Sequence, residues 1–343
     1  MYRQTIIMQA SNVKPESIQF YAKHLKEHIP KEAFQAASYK LLPMFFHVIL
    51  VFVNLCMIKY CISSSIVILS CSILMGLSIA CIFLFSHELT HGTIVRSQPL
   101  LYILELFFWA FSGLPPTLWK RIHNMTHHQT MNTYEDPDRK AFRSESSTLN
   151  NVYNLFIYPN KRLRYSLTVG FAMIFYSLKH IIAVFYNPKN KPAIVTMRPN
   201  YTPKEIQKIK YELLYIVMFW TAILYFISSW LGVIALFISW MTFSVSTITF
   251  IITQHLRNPV FIDVPDPLLT TTSVIIPRWL DKLIDWHSFH VEHHIFPGIN
   301  FDYYPMISQK IKEKFPKKYQ RLPILQAIKE CYEQDVLIDD PLI

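Results

Sequence analysis

Two stretches of this chain, residues 66–85 and 231–253, contain no charged side chain. A third, 41–58, interrupts its apolar run only with Pro43, His47 and Asn54, and a fourth, 211–228, carries Glu212 alone. Each is close to the ~20 residues that cross the hydrocarbon core of a bilayer. In lipid every backbone group must be hydrogen-bonded internally, so such segments are helices. With 52% hydrophobic residues in 343 and a mean hydropathy of +0.23, the chain reads as an all-α integral membrane protein with four transmembrane helices in two hairpins.

Lys and Arg set the expected orientation. The arm 1–40 is polar and carries Arg3, Lys14, Lys23, Lys26, Lys31 and Lys40. The turn between the first two spans has only Lys59, and the Ser228-Ser229-Trp230 turn has no basic residue. By the positive-inside rule both termini face the cytosol. No signal peptide is expected, the first span serving as its own insertion signal. Residues 100–111 are too short to span and contain Glu105, so they lie in the interface or re-enter it. Residues 165–186 are long enough, but Lys179 and His180 fall inside, and a charge at membrane depth is costly. They read as an amphipathic helix on the cytosolic surface. A single domain, 1–343, is thus expected, with a cytosolic helical cap built from 87–210 and 254–343. The net charge of +10 suits anionic headgroups. No nucleic-acid partner is expected, because the basic residues are spread around the spans and form no recognition motif. The five cysteines include no CxxC pair, which leaves them as small packing residues.

Between and after the spans, nine of the 14 histidines fall in three short clusters. These are HELTH (His87, His91), HNMTHH (His123, His127, His128) and HSFHVEHH (His287, His290, His293, His294). Imidazole is the commonest metal-binding side chain. His87/His91 and His123/His127 are i,i+4 pairs and His290/His293/His294 are i,i+3,i+4, offsets that share a helix face. The adjacent pairs His127-His128 and His293-His294 diverge by ~100° on a helix, so their members can serve two centres. A single zinc is satisfied by four ligands, fewer than are offered. Few thiolates and many imidazoles favour iron. HELTH also fits HExxH, the pattern of zinc proteases in which Glu88 would be a general base. That reading leaves two clusters idle, and Glu88 is otherwise an acceptor that orients a ligand imidazole.

The three clusters resemble the histidine boxes of the membrane fatty acid desaturases and their hydroxylase relatives. HELTH resembles the first box. WKRIHNMTHHQTMN, running on to Asp136-Pro137-Asp138-Arg139, resembles the second, and HVEHHIFP resembles the third. Gln254-His255 resembles the QH that closes the last span in many of them. The likeness covers roughly residues 41 to 305. It implies a non-haem di-iron centre held by His87, His91, His123, His127, His128, His255, His290, His293 and His294. His287 lies outside the pattern and reads as a surface residue or a neighbour of the ligands. His47 reads as a polar residue facing the bundle, and His24, His28 and His180 as surface residues. Glu88, Asn124, Asp136, Asp138, Asp285 and Glu292 are candidates to hydrogen-bond the ligands, although Asp136 and Asp138 can equally cap a helix.

The resemblance further implies dioxygen as co-substrate and abstraction of hydrogen from an unactivated methylene. Loss of a second hydrogen gives a double bond; return of oxygen gives an alcohol, the hydroxylase alternative acting on a lipid, alkyl or carotenoid substrate. An acyl chain has no polar handle at its middle, so an apolar tunnel must select the carbon. Residues 104–111, with Trp109, and Trp119 and Phe296 are its candidate lining. Electrons are expected from a separate ferredoxin-like or cytochrome-like carrier with an NAD(P)H reductase. The implied location is a bacterial inner membrane or endoplasmic reticulum.

Overall fold

The computed structural model describes residues 15–61, 64–139, 161–185, 200–261 and 264–334, the side chains of 161–168 aside. The start of the polar arm (1–14) and residues 186–199 of the expected cap lie outside these residues. The chain is mostly helical. It divides into an apolar unit, Ala36–Arg121 with Asn151–Thr249, and a polar unit, Met1–Gln35 with Ile122–Asn150 and Phe250–Ile343.

The polar arm provides α1 (Ile18–Leu25), whose N-cap is Ser17. The apolar unit then contains α2 (Leu41–Tyr60), α3 (Ser65–Thr90), the shorter α4 (Gln98–Ala110), α5 (Lys161–Phe185), α6 (Pro203–Ile227) and α7 (Trp230–Ile251). Four stretches are long and apolar enough to cross a membrane: Ser38–Tyr60, Ser65–Thr90, Pro203–Ile227 and Trp230–Leu256. The expected apolar segments match these in place, but two helices are longer. Helix α6 begins at Pro203 rather than 211 because Thr202 and Glu205 form a capping box and proline suits the first helical position. Helix α3 runs past residue 85 to Thr90, carrying His87 and Glu88 inside it. That extension is sustained by Lys40, whose Nζ donates to Glu88 Oε2 at 2.8 Å with both side chains buried. Removing one member of a buried ion pair costs about 3–5 kcal/mol, because the other charge stays without water.

Helix α2 shows the environment of these elements. Met44, Val48, Val51, Leu55 and Ile58 are buried, while Leu42, Phe45, Ile49, Phe52 and Val53 are exposed. A helix apolar on its outer face as well as its inner one is built for lipid. Hydroxyls along α3 are satisfied locally: Ser72 donates to Ile68 O, Ser78 to Leu74 O and Ser86 to Ile82 O. Close approach of α3 and α7 depends on a glycine. A Cβ at Gly76 would lie 2.4 Å from the Ser239 carbonyl oxygen and 2.6 Å from Thr242 Cβ.

Helix α5 packs on α7. Ser244 Oγ donates to the Val169 carbonyl and accepts from Met173 N–H. Phe171 meets Phe237 at 6.2 Å. His180, expected at the surface, is instead 3% exposed, its ring 4.5 Å from Tyr176. Helical phase turns it inward while Leu178 is exposed and Lys179 half-buried. His24 and His28 are exposed and His47 is buried, in line with the sequence reading.

The polar unit is organised around α8 (His290–Ile295), with α9 (Tyr304–Lys314), α10 (Ile324–Glu333) and one parallel strand pair, β1 (Ser273–Ile275) and β2 (Arg321–Pro323), in the register Ser273 to Arg321. Its core joins Tyr21 and Leu25 of α1 to Phe289, Val291, Phe301 and Ile307. Buried Asp266 ties the arm down, accepting from Tyr21 Oη at 2.9 Å, from Glu16 N–H at 2.8 Å and from Lys318 Nζ at 3.2 Å.

Substituting Gly76 by Val is expected to force α3 and α7 apart at an overpacking cost of about 1–3 kcal/mol. Thermal unfolding of the detergent-solubilised variant, read against Gly76→Ala and wild type, should fall in that order of side-chain size.

Candidate metal centre

The second histidine cluster does not lie on an ordinary α-helix. Residues Lys120–His127 form π-helical turns, continued by an α-helical turn at His128–Thr130. A π-helix bonds i to i+5, so residues five apart lie over one another. The i,i+4 pairing of His123 with His127 read from the sequence is therefore replaced by a pairing of His123 with His128. Their Nε2 atoms face each other at 3.2 Å. His255 also sits in a π-helical turn, Ile252–Leu256. Turns of this kind recur at functional sites because they redirect a side chain without breaking the helix.

Seven histidines of the polar unit meet in one buried region and sort into two groups. His128 Nε2 faces His123 Nε2 at 3.2 Å and His293 Nε2 at 3.0 Å. His290 Nε2 faces His255 Nε2 at 2.5 Å and His294 Nε2 at 3.2 Å. His127 joins this second group, its ring 4.6 Å from His255 and 5.1 Å from His294. The ligand atoms of His127, His255, His290 and His294 all lie within 4.8 Å of one another. Each adjacent pair is divided between groups, His127 from His128 and His294 from His293. The groups abut, with the rings of His128 and His294 4.5 Å apart. Two facing imidazole nitrogens can share only one proton, so several converging lone pairs in a buried site call for a cation. The donor set fits a pair of nitrogen-preferring metal ions such as iron.

Neighbouring groups fix the rings. His127 Nδ1–H donates to the Asp136 carboxylate, 3.0 Å from both oxygens, which leaves the Nε2 lone pair for the group. Asp136 also accepts from Asn132 N–H at 2.6 Å and Asp138 N–H at 2.9 Å. Asp136 thus touches a candidate ligand and also holds the local backbone. His293 Nδ1 lies 3.2 Å from Tyr304 Oη, which itself donates to the Phe296 carbonyl. That arrangement makes Nδ1 the donor and again frees Nε2. Buried Glu292 touches the framework of α8: it accepts from Ser273 Oγ at 2.6 Å and from Tyr319 Oη, and Ser273 Oγ accepts from Val291 N–H. Gln254 donates to the His287 carbonyl at 2.8 Å, fixing the turn that carries His255.

Two residues here were not singled out from sequence. Asn132, at φ 52°, donates through Nδ2 to the carbonyls of His255 (3.0 Å) and Thr270 (3.2 Å), joining the second cluster to the QH turn. Its place at the end of the second box was the available signal. Tyr304 had none, because its reach to His293 depends on how α9 folds back. Asp285 and Trp286 both hold positive φ, 56° and 57°, just ahead of the third cluster. For a bulky residue such as Trp286 this is strained, and its Nε1–H donation to Asp302 at 2.8 Å helps retain it. Asn124 is half-buried on the π-helical segment.

The apolar unit holds the first cluster. The rings of His87 and His91 are 5.1 Å apart at the end of α3. Glu88 is paired with Lys40 in a buried ion pair. Trp109 is fully buried, donates to Thr90 Oγ1 at 2.9 Å and lies 4.7 Å from Trp119, whose ring is 6.2 Å from His87. The segment leading into the second cluster is anchored within this unit by Lys120 to Glu105 (2.7 Å), Thr117 Oγ1 to Glu212 (2.6 Å) and Arg121 to Glu205. Phe296, a candidate tunnel residue, belongs to the core of the polar unit. His287, read as a surface or neighbouring residue, is buried, its ring 5.5 Å from His290.

Burial favours the neutral form, the one that binds metal, at His91, His255, His287 and His294. Desolvation holds His294 well below its usual range, aided by the charges of His128 and His290. It brings His287 to about 4, and with the Lys120 charge brings His91 to about 3. At His127 burial also disfavours the cation, but the Asp136 charge and hydrogen bond outweigh it and raise the pKa.

Asp136→Asn is expected to lower metal affinity by about 10–100-fold, since it removes the carboxylate that orients a ligand; metal content after dialysis against a chelator measures this. For His287 the folded pKa is depressed from 6.5 to about 4, so below pH 6.5 the unfolded chain binds more protons. Metal-free protein should lose stability as pH falls across that window, by about 1 kcal/mol per pH unit from this group. His287→Gln should flatten the dependence of the unfolding midpoint on pH.

No curated protein matches the chain significantly. The sequence model of the fatty acid desaturase family matches residues 63–324, a stretch that contains all nine candidate ligands and three of the four apolar helices in full. The chain therefore belongs to the fatty acid desaturase family.

Proposed function

We propose that this protein is a di-iron, dioxygen-dependent desaturase that introduces a double bond into the acyl chain of a lipid. The observation that carries the reading is the division of seven buried histidines into two abutting groups, with each adjacent pair split between them. In this proposal His127, His255, His290 and His294 hold one iron. His123, His128 and His293 hold the other, completed by His87 and His91 as the first box of the family implies. When bound, the two irons supply the oxidising power that takes hydrogen from an unactivated methylene of the acyl chain.

The protein's own contribution is placement. Asp136 and the Tyr304 hydroxyl keep protons on the Nδ1 atoms of His127 and His293, so that Nε2 faces the site. Glu292 and Asn132 lock the backbone segments that bear the ligands. Close burial of every imidazole in the polar unit's groups excludes bulk water, which would otherwise quench the oxidant. Trp119, with Trp109 against it, is the aromatic wall we assign to the acyl tunnel, where bending the chain selects the carbon. In this proposal the chain is a single domain of two helical hairpins with a cytosolic cap, on which an electron carrier of ferredoxin-like or cytochrome-like type docks.

Expression in a host without polyunsaturated lipids, followed by mass spectrometry of the lipids, tests this function. Wild type should yield acyl chains that have lost two hydrogen atoms, and His293→Ala should yield none. A gain of one oxygen atom would identify a hydroxylase instead. Unchanged lipids in the presence of folded, iron-loaded wild-type protein would overturn the reading.

A further inference from the structure

Among the described residues of the polar unit most large apolar side chains are buried, and of the six exposed ones four lie along neighbouring segments. Ile275 is 44% exposed, Trp279 69%, Leu283 43% and Leu325 77%. Trp279 and Leu283 belong to a short helix, Arg278–Leu283. The strand register sets Ile275 opposite Pro323, two residues before Leu325. Asp281, on the inner side of the short helix, faces Arg321 of β2 at 3.9 Å, which draws helix and strand together. Arg321 in turn lies 3.9 Å above the Phe289 ring. Buried polar groups thus hold an apolar surface outward.

The exposed charges on the short helix are of one sign. On the short helix Trp279 and Leu283 form one i,i+4 stripe, and exposed Arg278 and Lys282 form the stripe beside it. On α10, Lys329 stands one turn from Leu325 but is paired with Glu333 at 4.0 Å, so the basic character rests on Arg278 and Lys282. No acidic residue is exposed between Ile275 and Leu283. A tryptophan and aliphatic side chains flanked by long basic ones match the boundary between acyl chains and headgroups: the indole sits at the interface and the basic stems extend to phosphate. A partner protein would be expected to answer such basic residues with acidic ones, whereas an anionic leaflet answers them everywhere. A chain with four apolar, span-length helices also keeps lipid at high effective concentration.

We propose that the surface formed by Ile275, Trp279, Leu283 and Leu325, with Arg278 and Lys282, is a membrane-surface contact that rests on anionic lipid headgroups. It is distinct from the metal-binding histidines and does not depend on which reaction they support. Its effect is to fix the polar unit against the bilayer surface, restricting its tilt.

Photo-crosslinking of the full chain in nanodiscs tests this. Benzoylphenylalanine replaces Leu283 or Leu325, and for comparison the exposed Glu313 of α9, in discs of phosphatidylcholine alone or mixed in equal parts with phosphatidylglycerol. Lipid adducts are expected at 283 and 325 and not at 313, with higher yield in the mixed discs. Adding Arg278→Glu and Lys282→Glu should abolish the gain from phosphatidylglycerol while leaving metal content unchanged. Adducts to a second copy or to another protein, no adducts, or lipid adducts equally strong at 313 would each overturn the proposal.

Discussion

Ring nitrogens that face one another with no room for water govern this structure. Nε2 of His290 lies 2.5 Å from that of His255, and Nε2 of His128 lies 3.0 Å from that of His293. Lone pairs at that distance repel unless a proton or a cation lies between them, and at His294 burial disfavours the added proton that would charge the ring. Every supporting contact can be understood as holding such an arrangement ready. Asp136 and Tyr304 take the opposite ring nitrogens, Asn132 and Gln254 fix the carrying backbone, and Glu292 braces α8 against β1. These groups receive in hydrogen bonds what they lose in hydration, which is why so many polar side chains can be buried together.

Helical irregularity is the second device. A regular α-helix would align His123 with His127, and the two would enter one group. The π-helical segment instead aligns His123 with His128 and releases His127 to face His255 and His294. A second π-helical turn presents His255 at the end of the fourth long apolar helix. In each case backbone hydrogen bonds that the regular helix would make are exchanged for side-chain direction. Asn132, Thr272 and Cys331 satisfy carbonyls or bonds released near those turns: Thr272 N–H donates to Gln254 O, and Cys331 Sγ to Ile252 O.

Much of this was legible in the residues. The four apolar helices follow from composition and length, because nothing but a helix satisfies the backbone in lipid. The existence of two groups followed from the adjacent pairs, whose divergence on any helix is large. What could not be read was the pairing within the second box, since the choice between i,i+4 and i,i+5 turns on local backbone bonding. Burial of His180 was also missed, for it looks polar and ordinary in sequence, and of the two readings of His287 burial beside His290 leaves the neighbour of a candidate ligand. Lys40 belonged in sequence to a polar arm, yet it is buried against Glu88, 48 positions away.

By itself, the sequence determined the helical class, the candidate spans, the nine histidines and the family they mark, because hydropathy and side-chain chemistry are carried by each residue wherever it lies. Only the tertiary structure decided which imidazoles face each other, which carboxylate holds a ring and which a lysine, and where an apolar surface is left uncovered. Those outcomes depend on atoms brought within hydrogen-bonding distance across long separations, from Asn132 to His255 and from His128 to His293. No local pattern specifies such distances; packing does.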